Sequence, residues 1–289
     1  MVVACYGPKD DPTWLEDIEK AGDFLESVRE RCDFDKDKGC EIPRRGKGLN
    51  ALNYGSQHGN GGQVGFSSCL CLISVLTFPP KHPKVVGNQG TARLAVLEDL
   101  RKQKSFIRIA GMMNGIFLTW APILWYYYAS IMGALIAQYG VDIWLPFANC
   151  IFGSFAVDFG PYAVSTPHRD VKNLAFGWCA ITALGAFDYV LGGHLILWDL
   201  GLVFEFPPGT TIMVPSSVVC HSNTRIQRHE HRYSFTMYTS GGLFRWVEHG
   251  FELESIYQKT VQAARDAAWN ATRWTRGLAL FSTMEELCR

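Results

Sequence analysis

Apolar positions recur along this chain with two different periods, and the change of period divides it. Over residues 12–32 they return every three to four residues. Leu15, Ile18, Leu25 and Val28 then share one face of an expected helix. Thr13-Trp14-Leu15-Glu16 has the form of a capping box at its start. A second helix is expected from Thr91 through Leu94, Leu97 and Leu100, with Arg101, Lys102, Lys104 and Arg108 as its basic end. Residues 109–141 carry no charge, a run long enough to span a bilayer. Asn114, Thr119, Pro122, Ser130 and Gln138 interrupt it, however, and its aromatics lie in the middle, not at the two ends. The expectation is a pair of buried helices broken at Pro122, with no membrane association.

After Pro146 the period shortens to two. Ile151–Phe159 is strand-like, and short β-type segments follow at Leu174–Leu184, His194–Trp198, Leu202–Phe206, Thr211–Val214 and Tyr233–Tyr238, separated by Gly and Pro. Such spacing predicts a sandwich or barrel of jelly-roll type. The tail returns to helical spacing through Leu253, Ile256, Tyr257, Val261, Ala264 and Ala268, to about Trp274. Helices, a β core and a closing helix make an α+β chain. We read one domain over 1–289: helical support in 1–145, the β core in 146–250 and a C-terminal helix in 251–289.

Composition narrows the class. The chain is 48% hydrophobic and 19% charged, which excludes a disordered protein. The 27 basic residues balance the 27 acidic ones, so any nucleic-acid surface must be a local patch. Nine cysteines, an odd number with no CxxC pair, fit reduced thiols of an intracellular protein better than a disulfide framework or a zinc ribbon. The opening MVVACYGPKDDP lacks the order of a signal peptide. Two polar stretches stand out. Ile42–Gly48 is a short basic loop with Arg44, Arg45 and Lys47, and 53–65 is rich in Gly, Asn, Gln and His and reads as an irregular exposed loop. They are either a solvated connection or a clamp on a phosphate backbone. Phe66–Phe78 is an apolar strand or short helix, ended by Pro79, Pro80 and Pro83.

The chemistry concentrates between His168 and Ser234. On a strand, His168 and Asp170 point to one face and can share a metal ion. His221, after the Thr211–Val214 strand and its turn, supplies a third ligand. Two histidines and one carboxylate on one face of a metal leave three positions open, the arrangement of non-haem Fe(II) oxygenases. Arg232 and Ser234 follow His221. If their strand pairs back toward the ligand strand, both face inward, and the guanidinium fork suits a carboxylate. Together they read as the seat of 2-oxoglutarate. HxD alone is a weak signal; the ordered series HxD, His, Arg-x-Ser in β-rich sequence is a much stronger one. His229-Glu230-His231 also has ligand types at strand spacing, but beside Arg228 and Arg232 it reads as an exposed polar turn. His194 is read as structural, and His58, His82 and His249 as surface residues.

His168-Arg169-Asp170-Val171-Lys172-Asn173 resembles the iron-binding H-R-D-x-x-N signature of the TET/JBP family of nucleic-acid dioxygenases, and Phe155-Ala156-Val157-Asp158-Phe159 resembles the segment ahead of it. The likeness covers residues 150–246 and is greatest to the compact TET-like proteins of basidiomycete fungi; the cysteine-rich module of animal relatives is absent. It implies a double-stranded β-helix that oxidises the methyl group of a modified DNA base. Iron would sit on His168, Asp170 and His221, and 2-oxoglutarate on Arg232 and Ser234. By the same resemblance Asn173 would contact a flipped base and Tyr238 would stack on it. Where the animal proteins have a histidine that bonds the cytosine, this chain has Ser240.

Asp188, in the loop Phe187-Asp188-Tyr189, is read either as an acceptor for an exocyclic amino group or as a hairpin-turn residue. An acceptor there suits 5-methylcytosine and N6-methyladenine alike, so both bases stay open. Arg44, Arg45, Lys47 and the basic helix end are the expected backbone contacts. The implied setting is a monomer acting with O2 on DNA in the nucleus. The rival readings are a 2-oxoglutarate oxygenase of proteins or small molecules, a non-enzymatic jelly-roll binding module, and a membrane protein held by residues 109–141.

Overall fold

The computed structural model describes residues 1–8, 10–34, 50–58, 83–85, 90–148 and 150–287. Arg44, Arg45 and Lys47, the apolar run Phe66–Phe78 and His82 lie outside the described residues.

The scaffold is a mixture of helices and antiparallel sheet. Seven strands form the large sheet: β1 (Val3–Cys5), β2 (Ala51–Gln57), β3 (Lys84–Val85), β4 (Ser154–Asp158), β5 (Cys179–Ala186), β8 (Thr211–Val214) and β10 (His231–Tyr238), in the order β1-β8-β5-β10-β4-β2-β3. Three more, β6 (Leu195–Leu197), β7 (Leu202–Phe204) and β9 (His221–Asn223), form a small sheet ordered β7-β6-β9.

Period-two alternation tells each side of the large sheet what to bury. On β10, Tyr233, Phe235 and Met237 enter a core shared with the helices, while Arg232, Ser234 and Thr236 line a cavity on the other face. On β4, Phe155 and Val157 face the helices, and Ala156 and Asp158 face that cavity. A second core, with Ala183, Leu195, Leu197, Phe206 and Ile212, joins the large sheet to the small one.

The helices behind the large sheet are α1 (Pro12–Arg29), α2 (Gly90–Lys102), α3 (Lys104–Trp120) and α4 (Pro122–Tyr139). The uncharged run 109–141 is therefore two helices parted before Pro122, and among the described residues no helix is long and apolar enough to cross a membrane. Phe106 of α3 meets Phe235 edge-on, with ring centroids 5.2 Å apart.

Several local expectations change. The cap of α1 is Asp11, whose Oδ1 accepts from Thr13 N at 3.0 Å, because Pro12 already occupies the first helical turn. Leu15 is 64% exposed; Trp14 and Ala21 take the buried face with Ile18, Leu25 and Val28. Residues Asn53–Gln57 belong to strand β2 instead of a loop. Pairing with β4 and the stacking of Tyr54 between Trp144 and Phe155 outweigh the polar composition. The expected basic helix end is split, since α2 stops at Lys102 and Arg108 lies in α3. Arg101 is bound to Glu98 and the Pro146 carbonyl, and Arg108 to Asp11 and Asp17.

A helix, α5 (Gly241–Glu248), ends the stretch expected as β core, and the tail beyond it is a series of short helices, not one: α6 (Glu254–Tyr257), α7 (Val261–Ala271), α8 (Arg273–Leu278) and α9 (Met284–Leu287). Val261 is exposed, contrary to the single buried stripe expected. The five cysteines that the described residues include (Cys5, Cys32, Cys150, Cys179 and Cys220) are free thiols.

Candidate metal and cosubstrate site

His168 and His221 stand directly opposite each other across an isolated antiparallel bridge. His168 N donates to the His221 carbonyl and His221 N to the His168 carbonyl, both at 3.0 Å. The HxD segment is thus held by a single bridge to β9, where a regular strand was expected. Asp170 is fixed separately: its N–H donates to the Ser216 carbonyl at 2.8 Å. Between the two, Arg169 turns away, donating to the Val218 carbonyl and to Asp199 at 2.9 and 2.7 Å. That clamp ties the HxD loop to the turn that delivers His221.

The three side chains converge. Asp170 Oδ1 lies 3.8 Å from His168 Nε2, Asp170 Oδ2 lies 3.8 Å from His221 Nε2, and all three ligand atoms fall within 4.8 Å of one another. Each ring is oriented from behind by a main-chain carbonyl. His168 Nδ1 donates to Thr166 O at 2.8 Å and His221 Nδ1 to Val219 O at 2.9 Å. A proton held on Nδ1 leaves the Nε2 lone pair free, which is how a metal-binding histidine is prepared. Two neutral imidazoles and one carboxylate on one side of a point suit Fe(II), with the remaining positions open to other ligands.

The ligands open into a cavity of about 80 Å³ between the two sheets, which Arg232, Ser234 and Asp158 also line. Arg232 is 3% exposed. Its Nη1 donates to Ala163 O at 2.9 Å, and its buried Nε has no hydrogen-bond partner among the described residues. The guanidinium lies 5.9 Å from the ring centroids of both Phe187 and Phe206. Burial lowers its pKa to about 10, opposed by the charge of Asp158. A buried cation with an unused donor is costly unless a ligand completes it. A carboxylate does so, and the fork geometry makes 2-oxoglutarate fit this site.

Asp158 is the residue that sequence reasoning passed over. It is 5% exposed and stands across the ladder from Ser234. Burial pushes its carboxyl up to about 6, against the opposing pull of the Gly160 N–H and the Arg232 charge. The nearby backbone has little freedom. Gly160 has φ +53°, and a Cβ there would sit 2.5 Å from the Arg232 carbonyl oxygen. Gly185, at φ +106° and paired with Arg232, would bring a Cβ to 2.3 Å of the His231 oxygen.

A larger chamber of about 360 Å³ adjoins the ligands, with His168, Asp170, Ala156 and Thr236 common to both spaces. It gathers three residues singled out in the sequence: Asn173, Tyr238 and Ser240. Asn173 and Ser240 form a bridge, and Asn173 Nδ2 donates to Ser216 Oγ at 3.1 Å. Tyr238 OH donates to Asn53 Oδ1 at 3.2 Å. Ser240 also caps α5, its Oγ accepting from Gly242 N at 3.3 Å. Asn53 and Gln57 of β2 line the chamber as well; their segment read as a loop, so nothing in the sequence aimed them here.

Other expected residues lie elsewhere. Asp188 lines neither space. Its Oδ1 accepts from Val190 N at 2.9 Å, closing its own turn beyond the Ala186 end of β5. Tyr238 is at the opposite end of β10. The residue therefore sits in a turn, but not in a hairpin, since β5 and β6 belong to different sheets. Glu230 is buried instead of exposed, because its carboxylate accepts from Asp188 N and Gln227 N, both at 2.8 Å. His249 stacks on Tyr257 at 3.8 Å and His58 on Trp246 at 4.1 Å, so neither is a plain surface residue. Arg232 and Ser234 face inward although β10 pairs with β4 and β5 and not with the ligand strand.

No family model and no curated protein matches this chain. Among solved structures, it is similar to NgTET1 in complex with 5mC DNA at 15% identity, covering 83% of this chain and 73% of that one with a TM-score of 0.42. A 2OG-Fe(II) oxygenase family oxidoreductase from Burkholderia pseudomallei is 16% identical over 54% of this chain and 59% of that one, TM-score 0.28. The viral collagen prolyl hydroxylase of Paramecium Bursaria Chlorella virus-1, as its 2OG complex, is 16% identical over 30% and 57%, TM-score 0.23.

Proposed function

We propose that this chain is an Fe(II)- and 2-oxoglutarate-dependent dioxygenase, built on a double-stranded β-helix, that oxidises the methyl group of a methylated DNA base. One observation carries the reading: a buried arginine with an unused donor shares a cavity with a His-Asp-His cluster whose two rings are pre-oriented. When bound, the iron and its cosubstrate supply the oxidising power for attack on an unactivated C–H bond.

The chain's own residues do the rest. His168, Asp170 and His221 fix the position of the metal. Arg232 and Ser234 would hold a carboxylate of the cosubstrate in the cavity that the metal ligands also line. Burial around Arg232 excludes water and strengthens that ion pair. The chamber beside the ligands is suited to one extruded base, since a methyl group inside a duplex is out of reach until its nucleotide is flipped, at a cost of a few kcal/mol. Tyr238 offers a ring to stack on, and Asn173 and Ser240 offer polar edges. Nothing among them selects one base, so 5-methylcytosine and N6-methyladenine are both carried forward. A monomer acting in the nucleus is the setting in keeping with this substrate.

The test is an assay of nucleosides from two oligonucleotides, one with each base, incubated with protein, iron and 2-oxoglutarate. A hydroxymethyl or demethylated product from either is expected, and its loss in His168→Ala. Succinate formation with both oligonucleotides unchanged would move the reading to a protein or small-molecule substrate. No succinate at all would leave a binding module.

A further inference from the structure

With Arg101 and Arg108 committed to ion pairs, a DNA-binding protein needs other cations near its chamber. Three converge beside it. A cavity of about 590 Å³ is bordered by Lys172, Arg245, Arg273 and Trp274, and shares Val171, Lys172 and Asn173 with the chamber. No carboxylate among the described residues lines it. The three cations come from three segments: the loop after Asp170, helix α5 and the first residue of α8. The join between the first two is firm, since Gly241 N donates to the Lys172 carbonyl at 2.9 Å.

The three cations differ in what they already do. Arg273 is bound to Glu248 at 2.6 Å. Lys172 and Arg245 are exposed, and neither forms an ion pair with a described residue. Trp274 is 46% exposed, an indole face left open to solvent on the same rim. On the far side of Arg245 a separate cavity carries Glu252 and Glu254, so the positive surface ends there and has a direction. Positive charge plus an open aromatic is the combination that tracks a sugar-phosphate chain while stacking a base.

We infer that the groove bordered by Lys172, Arg245 and Trp274 is a track for the phosphate backbone of the DNA strand beside the base in the chamber. This rests on the nucleic-acid reading above. Lys172 serves both spaces, standing next to Asn173 at the chamber wall. Arg245 and Trp274 extend the track outward along the tail helices.

The experiment is fluorescence anisotropy of a labelled 5-methylcytosine duplex, titrated with protein between 50 and 200 mM salt. Each lost phosphate contact reduces the slope of log K against log salt by about 0.9, so Lys172→Gln with Arg245→Gln should flatten it by about 2. Affinity at low salt should fall at least about ten-fold. Trp274→Ala, titrated on the same labelled oligonucleotide as a single strand, should weaken binding and leave the slope unchanged. Lys20→Gln, on the exposed face of α1, removes a positive charge away from the groove and should match wild type. Lys172 and Arg245 are exposed, so their loss leaves the fold intact. Wild-type slope and affinity in the double variant would overturn the track alone. Failure of the wild type itself to bind any oligonucleotide would overturn both the track and the DNA substrate, leaving the iron chemistry standing.

Discussion

At the scale of single residues, the cavity sets two buried charges near each other, and each carries a prediction. Arg232 keeps its charge although burial pulls its pKa down, and its Nε waits for an acceptor. Truncating one partner of a buried, hydrogen-bonded charge pair costs about 2–5 kcal/mol. Arg232→Ala should therefore raise the Kd for 2-oxoglutarate by roughly 30-fold or more, read by calorimetry on Mn(II)-loaded protein. Arg232→Lys should fall between, since it keeps the charge and loses the fork.

Asp158 carries the opposite burden. Its folded pKa, about 6, lies above its ordinary value of 3.8, so the folded state binds the proton more tightly than the unfolded one. Stability from this group is then fullest below about pH 4, falls as pH rises toward 6, and is flat above. The size is on the order of 3 kcal/mol, taking 1.36 kcal/mol for each pKa unit. Asp158→Asn should remove that slope, and urea unfolding of both proteins between pH 4 and 7 would show it. Parallel curves would mean that Asp158 is not held in this state.

At the scale of elements, β10 connects packing to chemistry. Its alternate residues feed the helical core through Tyr233, Phe235 and Met237, and the cavity through Arg232, Ser234 and Thr236. A slip of one residue would exchange the two sets, so the core fixes where the arginine points. Phe235 is fully buried against Phe106, Phe147 and Phe155. Phe235→Ala should cost about 3–5 kcal/mol, visible as a lower denaturation midpoint. The helix break at Pro122 was legible because proline marks it, whereas the cap of α1 is Asp11 and not the Thr13 box that the sequence offered. Strand β2 and helix α5 were not legible. The first is polar in composition and becomes a strand only by pairing with β4, and the second lies in residues 146–250, which read as β core.

At the scale of the whole molecule, the metal ligands come from a loop and from a strand of the small sheet, and the arginine from the large sheet. The site exists only when the two sheets close on each other. Metal binding should therefore stabilise the fold. At a free metal concentration 100 times Kd the gain is about 2.7 kcal/mol, a rise in Tm of several degrees. Thermal melts with and without Fe(II) or Mn(II), under anaerobic conditions, should show this shift in the wild type and none in His221→Ala.

The sequence by itself determined the ligand types and their order, because a facial triad needs two imidazoles and a carboxylate, and a dicarboxylate needs an arginine beyond them. It also determined the alternation that turns Arg232 and Ser234 to one face. Only the tertiary structure decided which polar residues share that space. Asp158 enters it, and Asn53 and Gln57 reach the chamber, because β4 and β2 pair beside β10. Asp188 stays out because β5 carries it past the far end. Those placements depend on contacts between segments far apart in the sequence, which no local pattern records.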